Sequence, residues 1–236
     1  MRKFILVAIL CTGLSHAALS HGATPEAQVI AINVLLLPDQ QMASHARELN
    51  AQLRSNDPAG FALDDTHVPH ISVLHQYVRS EDLPKILDAV QRVASRANIV
   101  GRELTTTGLE HSGWNGRVLT TLGVHRTSEL EALQQALIAA LQSYRQPAGT
   151  ESAFYTSGDP GGVDPSTIDY VASFLEKHSG DQFKPHFTLG FSDAEFAEQL
   201  KAREKDPVTF RIADVAVFQL GNVGTARKKL WSLSAR

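Results

Sequence analysis

Continuous apolar runs and helical apolar stripes alternate along this chain. Residues 28–37, rich in Val, Ile and Leu, have the length and composition of a buried strand. Pro38 and Asp39 open a helix whose apolar positions Met42, Ala46, Leu49 and Leu53 fall on one face. Residues 55–66 form a turn-rich loop containing Asn56, Asp57, Pro58 and Gly60, and a second strand is predicted over about 70–78. Ser80 is placed to cap the next helix, whose core face is Leu83, Ile86, Leu87, Val90 and Val93. Two strands follow, near 103–110 and 117–124, with a turn around Ser112, Gly113, Trp114, Asn115 and Gly116.

The second half repeats the scheme. Ser128 and Glu131 read as a capping box in front of the stripe Leu130, Leu133, Leu137 and Leu141. Residues 147–165 make a long segment with three glycines between 158 and 162, and a segment of that length is usually functional or disordered. A short helix or irregular stretch is expected over 167–177, then a strand over 183–191. Ser192 and Glu195 read as another capping box for a helix ending near Arg203. Strands over 208–219 and 226–233 close the chain, turning between Gly221 and Gly224. Strands and helices alternate, yet no GxGxxG or GxxxxGK[ST] follows a strand. That disfavours a dinucleotide-binding Rossmann domain and a P-loop ATPase.

Composition and charge narrow the picture. Arg2 and Lys3 precede a short apolar run and then small residues, with cleavage expected after Ala17 or Ala23. We therefore expect 1–23 to be an export signal and the mature protein to be periplasmic or secreted. The run is too short for a bilayer span. Removing it takes the net charge from −3 to −5 and removes Cys11, the only cysteine. The mature chain then has no disulfide, no thiolate nucleophile and no Cys-ligated zinc. What remains suits a single domain over 24–236, with lobes of roughly 24–115 and 116–236 between which strands can exchange. A net acidic chain is a poor binder of long nucleic acid, whose affinity comes mainly from neutralised phosphates. A small nucleotide or an RNA end remains possible as a partner.

The chemistry is concentrated in two short segments, Pro69-His70-Ile71-Ser72-Val73 and Pro185-His186-Phe187-Thr188-Leu189. Both read Pro, His, apolar, hydroxyl, apolar, and both start a predicted strand. Side chains alternate along a strand, so His70 and Ser72 share one face, as do His186 and Thr188. If the halves are related by an approximate two-fold axis, two imidazoles and two hydroxyls surround one cleft. Such a cleft suits a tetrahedral anion: one neutral histidine takes a proton, and the other, protonated, donates one. Ser72 and Thr188 can hydrogen-bond the non-bridging oxygens. No metal and no cofactor is required.

The paired His70-Ile71-Ser72 and His186-Phe187-Thr188 segments resemble the signature of the two-histidine (2H) phosphoesterases. That superfamily includes the proteins called 2′-5′ RNA ligases and the cyclic nucleotide phosphodiesterases. The resemblance implies an α+β, bilobal fold with pseudo-two-fold symmetry, in which two mainly antiparallel sheets line a central cleft with helices outside. It implies metal-independent chemistry on 2′,3′-cyclic or 2′-5′ phosphodiesters, with His70 and His186 as acid and base and Ser72 and Thr188 on the phosphate. The tail from Gln219-Leu220-Gly221-Asn222 to Lys228-Lys229-Leu230-Trp231 is similar to that of an exported bacterial branch. Residues 147–170 depart from the pattern as a long insertion.

Other candidates are weaker. Trp114 and Tyr155, in turn-rich segments, are the better placed of the aromatics (with Tyr77 and Tyr170) for stacking on a base. Arg117, Lys184, Arg227 and Lys228 could steer a phosphate. His67, His70 and His75 suggest zinc, but a regular strand points His70 away from the other two, so only a bulge could bring them together. A binding module without turnover, or a ligase working in the joining direction, is the alternative to hydrolysis. A monomer is expected, since there is no long coiled-coil pattern.

Overall fold

The computed structural model describes residues 28–158 and 161–234. The export signal assigned to 1–23, including Cys11, lies outside the described residues. The elements run β1 (Val29–Pro38), α1 (Gln40–Asn56), β2 (Ile71–Arg79), α2 (Leu83–Ala97), β3 (Glu103–Trp114), β4 (Arg117–Val124) and α3 (Ser128–Leu141). The chain continues through α4 (Pro165–Ala172), α5 (Phe174–Lys177), β5 (His186–Ser192), α6 (Ala194–Arg203), β6 (Thr209–Leu220) and β7 (Ala226–Ser232). The α+β class expected from the sequence is what the structure shows.

All strand pairings are antiparallel, in the order β1-β2-β5-β4-β3-β6-β7. β1 also pairs with β6, so the sheet closes on itself and β7 hangs outside the ring. The closure is uneven. β1, β2, β6 and β7 form one well-paired leaf, and β3, β4 and β5 form another. The leaves meet through one pair, Ile71 with Phe187, on one side, and through Glu103 to Thr105 of β3 against β6 on the other. The two sheets expected from sequence are thus joined along both edges. They also do not follow the halves of the sequence, because β6 and β7 return to the leaf that β1 and β2 began.

The helices cross between leaves. α1 follows β1 but packs on β5, whereas α3 follows β4 but packs on β2. Their buried stripes are Met42, Ala46, Leu49 and Leu53 on α1 and Leu130, Leu133, Leu137 and Leu141 on α3, as the periodicity predicts. Burying each stripe on the opposite leaf welds the halves into one core.

Three helix starts differ from the sequence reading. Thr127, not Ser128, caps α3, its side chain accepting from the Leu130 N–H at 3.3 Å. Asp193, not Ser192, caps α6, accepting from the Phe196 N–H at 2.7 Å. In both cases the capping residue has the extended backbone that lets a side chain reach the third N–H. Glu131 is engaged by Arg126 instead of completing a capping box. Ser80 lies inside a 3-10 turn, Ser80–Asp82, and caps nothing. The β3–β4 turn is also tighter than expected. Strand pairing continues to Trp114 and Arg117, leaving a two-residue turn of Asn115 and Gly116, both at positive φ.

Phe187 sits at the junction of the leaves, fully buried and edge-on to Phe210 at 5.4 Å between ring centres. Phe187→Ala is expected to lower stability by about 3–5 kcal/mol, read by denaturant titration. A loss below about 1 kcal/mol would mean that the junction is not packed as described.

Candidate functional site

The pairing of Ile71 with Phe187 places both motifs side by side. Both apolar residues point into the core, so their neighbours point the other way, towards the cleft. Continued by one residue in either direction, the antiparallel register sets His70 across from Thr188 and Ser72 across from His186. All four side chains are half-buried. The structure thus brings together all four residues that the sequence singles out.

Each imidazole is held in the same way. His70 Nδ1 lies 2.8 Å from the Val68 carbonyl oxygen, and His186 Nδ1 lies 2.8 Å from that of Lys184. A carbonyl can only accept, so Nδ1 carries the proton in both rings. Nε2 is left for a ligand: a lone pair in the neutral ring, a donor in the charged one. The proline before each histidine restrains the backbone that makes this contact.

The rings differ electrostatically. Burial pushes the His70 imidazole down to about 4, against the pull of the Val68 carbonyl, and the charge of His186 acts in the same downward direction. Burial also lowers His186, but there the Lys184 carbonyl and the Glu110 carboxylate both oppose the shift. Glu110 therefore favours the charged form at His186.

Both motif strands carry a bulge at the same place. Leu35 and Val34 of β1 face Ser72 and Leu74, so Val73 is skipped. Thr121 and Thr120 of β4 face Thr188 and Gly190, so Leu189 is skipped. A bulge shifts the alternation by one residue. This corrects the expectation for His75, which turns onto the same face as Ser72. Its Nε2 lies 2.9 Å from Ser72 Oγ, and Asn33 Nδ2 donates to the same oxygen at 2.9 Å. His75 is buried, and that burial holds its pKa well below the ordinary value, so the ring is neutral. The tautomer with hydrogen on Nε2 donates to Ser72 and leaves Nδ1, which has no partner, as a bare acceptor rather than an unsatisfied donor. With two hydrogen bonds accepted, the Ser72 hydroxyl keeps its own proton free to donate. Among the described residues no three His, Cys, Asp or Glu side chains are grouped as metal ligands.

The 147–170 segment covers one end of this face. Phe154 and Val163, with Val171 next to the segment, pack on Ala31, Tyr77 and Leu220. The Asn222 side-chain oxygen anchors the segment by accepting from the Asp164 N–H at 3.0 Å and Thr167 Oγ1 at 2.9 Å. Tyr170 and Phe174 enclose His75, with the Phe174 ring stacked at 4.8 Å, and His178 lies against Tyr170 at 4.4 Å. The pKa of His178 is lowered by burial and then by the charge of His186. Sequence reasoning missed Asn33 and His178, and considered His75 only as a zinc ligand. Asn33 had a visible signal, a lone amide inside an apolar strand; the contact of His75 with Ser72 had none, because bulges leave no mark in the pattern.

The remaining candidates are scattered. Trp114 stands at the β3–β4 hairpin tip, where Asn115 Nδ2 reaches Ser166 Oγ at 3.4 Å. Tyr155 lies near Arg227 and Lys228, 5.9 and 5.8 Å from its ring centre. Arg227 donates to the Thr66 and Ser157 carbonyls at 2.8 and 2.7 Å. Arg117 is committed to Asp57 and stacked on Phe191 at 4.0 Å. Lys184 is exposed.

A histidine that is neutral when folded binds fewer protons than the unfolded chain below about pH 6.5. Stability is therefore expected to fall as pH drops from about 6.5 towards 4. Calorimetry should give a lower Tm at about pH 5 than at about pH 7, and an NMR titration should place the His70 midpoint near 4. A His70 midpoint at or above about 6.5 would contradict the burial described.

The model of the 2′-5′ RNA ligase superfamily matches residues 38–224. No curated protein matches the chain. Among solved structures, TT0787 of Thermus thermophilus is similar at 16% identity and a TM-score of 0.49, over 86% of this chain and 96% of that one. The family match spans both histidine motifs, both bulges and the helices that cross between leaves, and on that match this chain belongs to the 2′-5′ RNA ligase superfamily.

Proposed function

We propose that this protein is a metal-independent phosphodiesterase acting on 2′,3′-cyclic nucleotide ends or 2′-5′ phosphodiester bonds. One observation carries the reading. Two imidazoles, each with Nδ1 tied to its own backbone, present Nε2 beside a hydroxyl donor across the Ile71–Phe187 junction. Superfamily membership supports phosphoesterase or ligase-like chemistry at that place.

In the hydrolytic direction, neutral His70 Nε2 takes a proton from water. The water oxygen attacks phosphorus, and the bond from phosphorus to one ribose oxygen breaks. Protonated His186 gives its proton to that leaving oxygen. The products are a phosphomonoester and a free hydroxyl, and the two histidines end in exchanged protonation states. Burial lowers both imidazoles, but the Glu110 carboxylate opposes the shift at His186 whereas the charge of His186 adds to it at His70, which supports the roles in this order. Ser72 and Thr188 donate to the non-bridging oxygens as negative charge grows. The contacts of Asn33 and His75 with Ser72 Oγ support that donation.

Tyr155, beside Arg227 and Lys228, is the better-supported platform for a base. The Arg2-Lys3 start and the following apolar run favour action after export, on small nucleotides or RNA ends rather than long RNA.

Purified protein is expected to open 2′,3′-cyclic nucleotides at the same rate with and without EDTA. His70→Ala and His186→Ala should each lower kcat by at least about a hundredfold. Unchanged turnover in both variants would overturn the mechanism. Binding of a cyclic nucleotide without turnover would favour a capture module instead.

A further inference from the structure

Each bulge leaves a buried residue out of the ladder, and its carbonyl must find another partner. Val73 and Leu189 are both fully buried. The partners are two amides that stand in phase with the apolar stripes of the crossing helices. Asn50 lies four residues after Ala46 on α1, and Gln134 lies four after Leu130 on α3. Both are buried.

Asn50 Nδ2 donates to the Leu189 carbonyl at 2.7 Å and to the Phe61 carbonyl at 3.0 Å, and Asn50 Oδ1 accepts from the Leu63 N–H at 2.8 Å. Gln134 Nε2 donates to the Val73 carbonyl at 3.0 Å, and Gln134 Oε1 accepts from the Gly180 N–H at 3.1 Å. The pattern is the same twice over. One amide ties the bulge after one motif to the loop that leads into the other motif. Asn50 joins Leu189, just past Thr188, to the loop before His70. Gln134 joins Val73, just past Ser72, to the loop before His186.

We propose that Asn50 and Gln134 are a matched pair of positioning residues that fix the two motifs relative to each other. Neither touches the cleft. Each acts by holding a motif strand and the opposite approach loop to one side chain, so that a displacement of either motif moves both. An apolar residue would fill the same space in the stripe but would release the bulge carbonyl and free the loop. The catalytic consequence rests on the two-histidine reading; the coupling between motifs does not.

The test uses the folded protein with Gln134→Met, Gln134→Glu and, as control, Leu137→Ala on the same helix. Gln134→Glu keeps the acceptor for the Gly180 N–H and loses the donor to the Val73 carbonyl, so it serves if Gln134→Met fails to fold. The imidazole NMR signals of His70 and His186 are read in each. Both signals are expected to shift in a Gln134 variant and to stay in place in Leu137→Ala, although the control also lowers Tm. On a cyclic nucleotide, kcat is expected to fall about ten- to a hundredfold with KM changed less than about threefold, the scale of a displacement near 1 Å. Signals that move for one histidine only, for neither, or equally in Leu137→Ala would overturn the coupling. If no substrate is turned over, the NMR signals still decide it. If turnover depends on both histidines but the signals stay fixed in the Gln134 variants, the coupling fails and the two-histidine reading stands.

Discussion

The site depends on one narrow contact, the place where β2 meets β5 through Ile71 and Phe187. A single residue pair is a weak hydrogen-bonded seam, yet it lies between the two motifs and sets both of them. Apolar side chains on the core side anchor it, with Phe187 against Phe210. That anchoring commits the residues on either side to the opposite face, which is why two histidines and two hydroxyls come together. Immediately beyond the seam both strands bulge, and the leaves diverge. The bulge in β2 brings His75 round to support Ser72.

The helices compensate for the weakness of the seam. α1 and α3 each leave one leaf and pack on the other, so separating the leaves would expose both apolar stripes at once. The buried amides within those stripes satisfy the backbone groups that the bulges release. Burying an amide in an apolar stripe is costly unless every bond is made. Here the bonds are made to backbone on two different segments. Rigid placement of two acid–base groups needs support of this kind, because strands alone would leave the seam free to slide.

Much of this was legible in the residues. The Pro-His-apolar-hydroxyl-apolar repeat located the site, and the stripes on α1 and α3 located the core faces, because both rest on strict local periodicity. The polar interruptions at Asn50 and Gln134 were present too, at positions where the stripe runs on either side. What they meant was hidden, since the bulge carbonyls they bind lie on strands far away in sequence. Helix caps slipped by one residue at Thr127 and fell on Asp193 rather than Ser192, where two adjacent capping residues compete and backbone geometry decides. The face of His75 was hidden because one skipped residue inverts a strand's alternation without changing its composition. The joining of the leaves into one ring was hidden as well, for it rests on strands returning from the far end of the chain.

The most direct measurement is a crystal structure with a ribonucleoside–vanadate complex, which mimics pentacoordinate phosphorus. The expected result is one vanadate at the seam, with Nε2 of His70 and His186 on oxygens at opposite ends of the in-line axis and Ser72 and Thr188 hydroxyls on the equatorial oxygens. A vanadate bound by only one of the histidines, or lodged away from the Ile71–Phe187 seam, would contradict it.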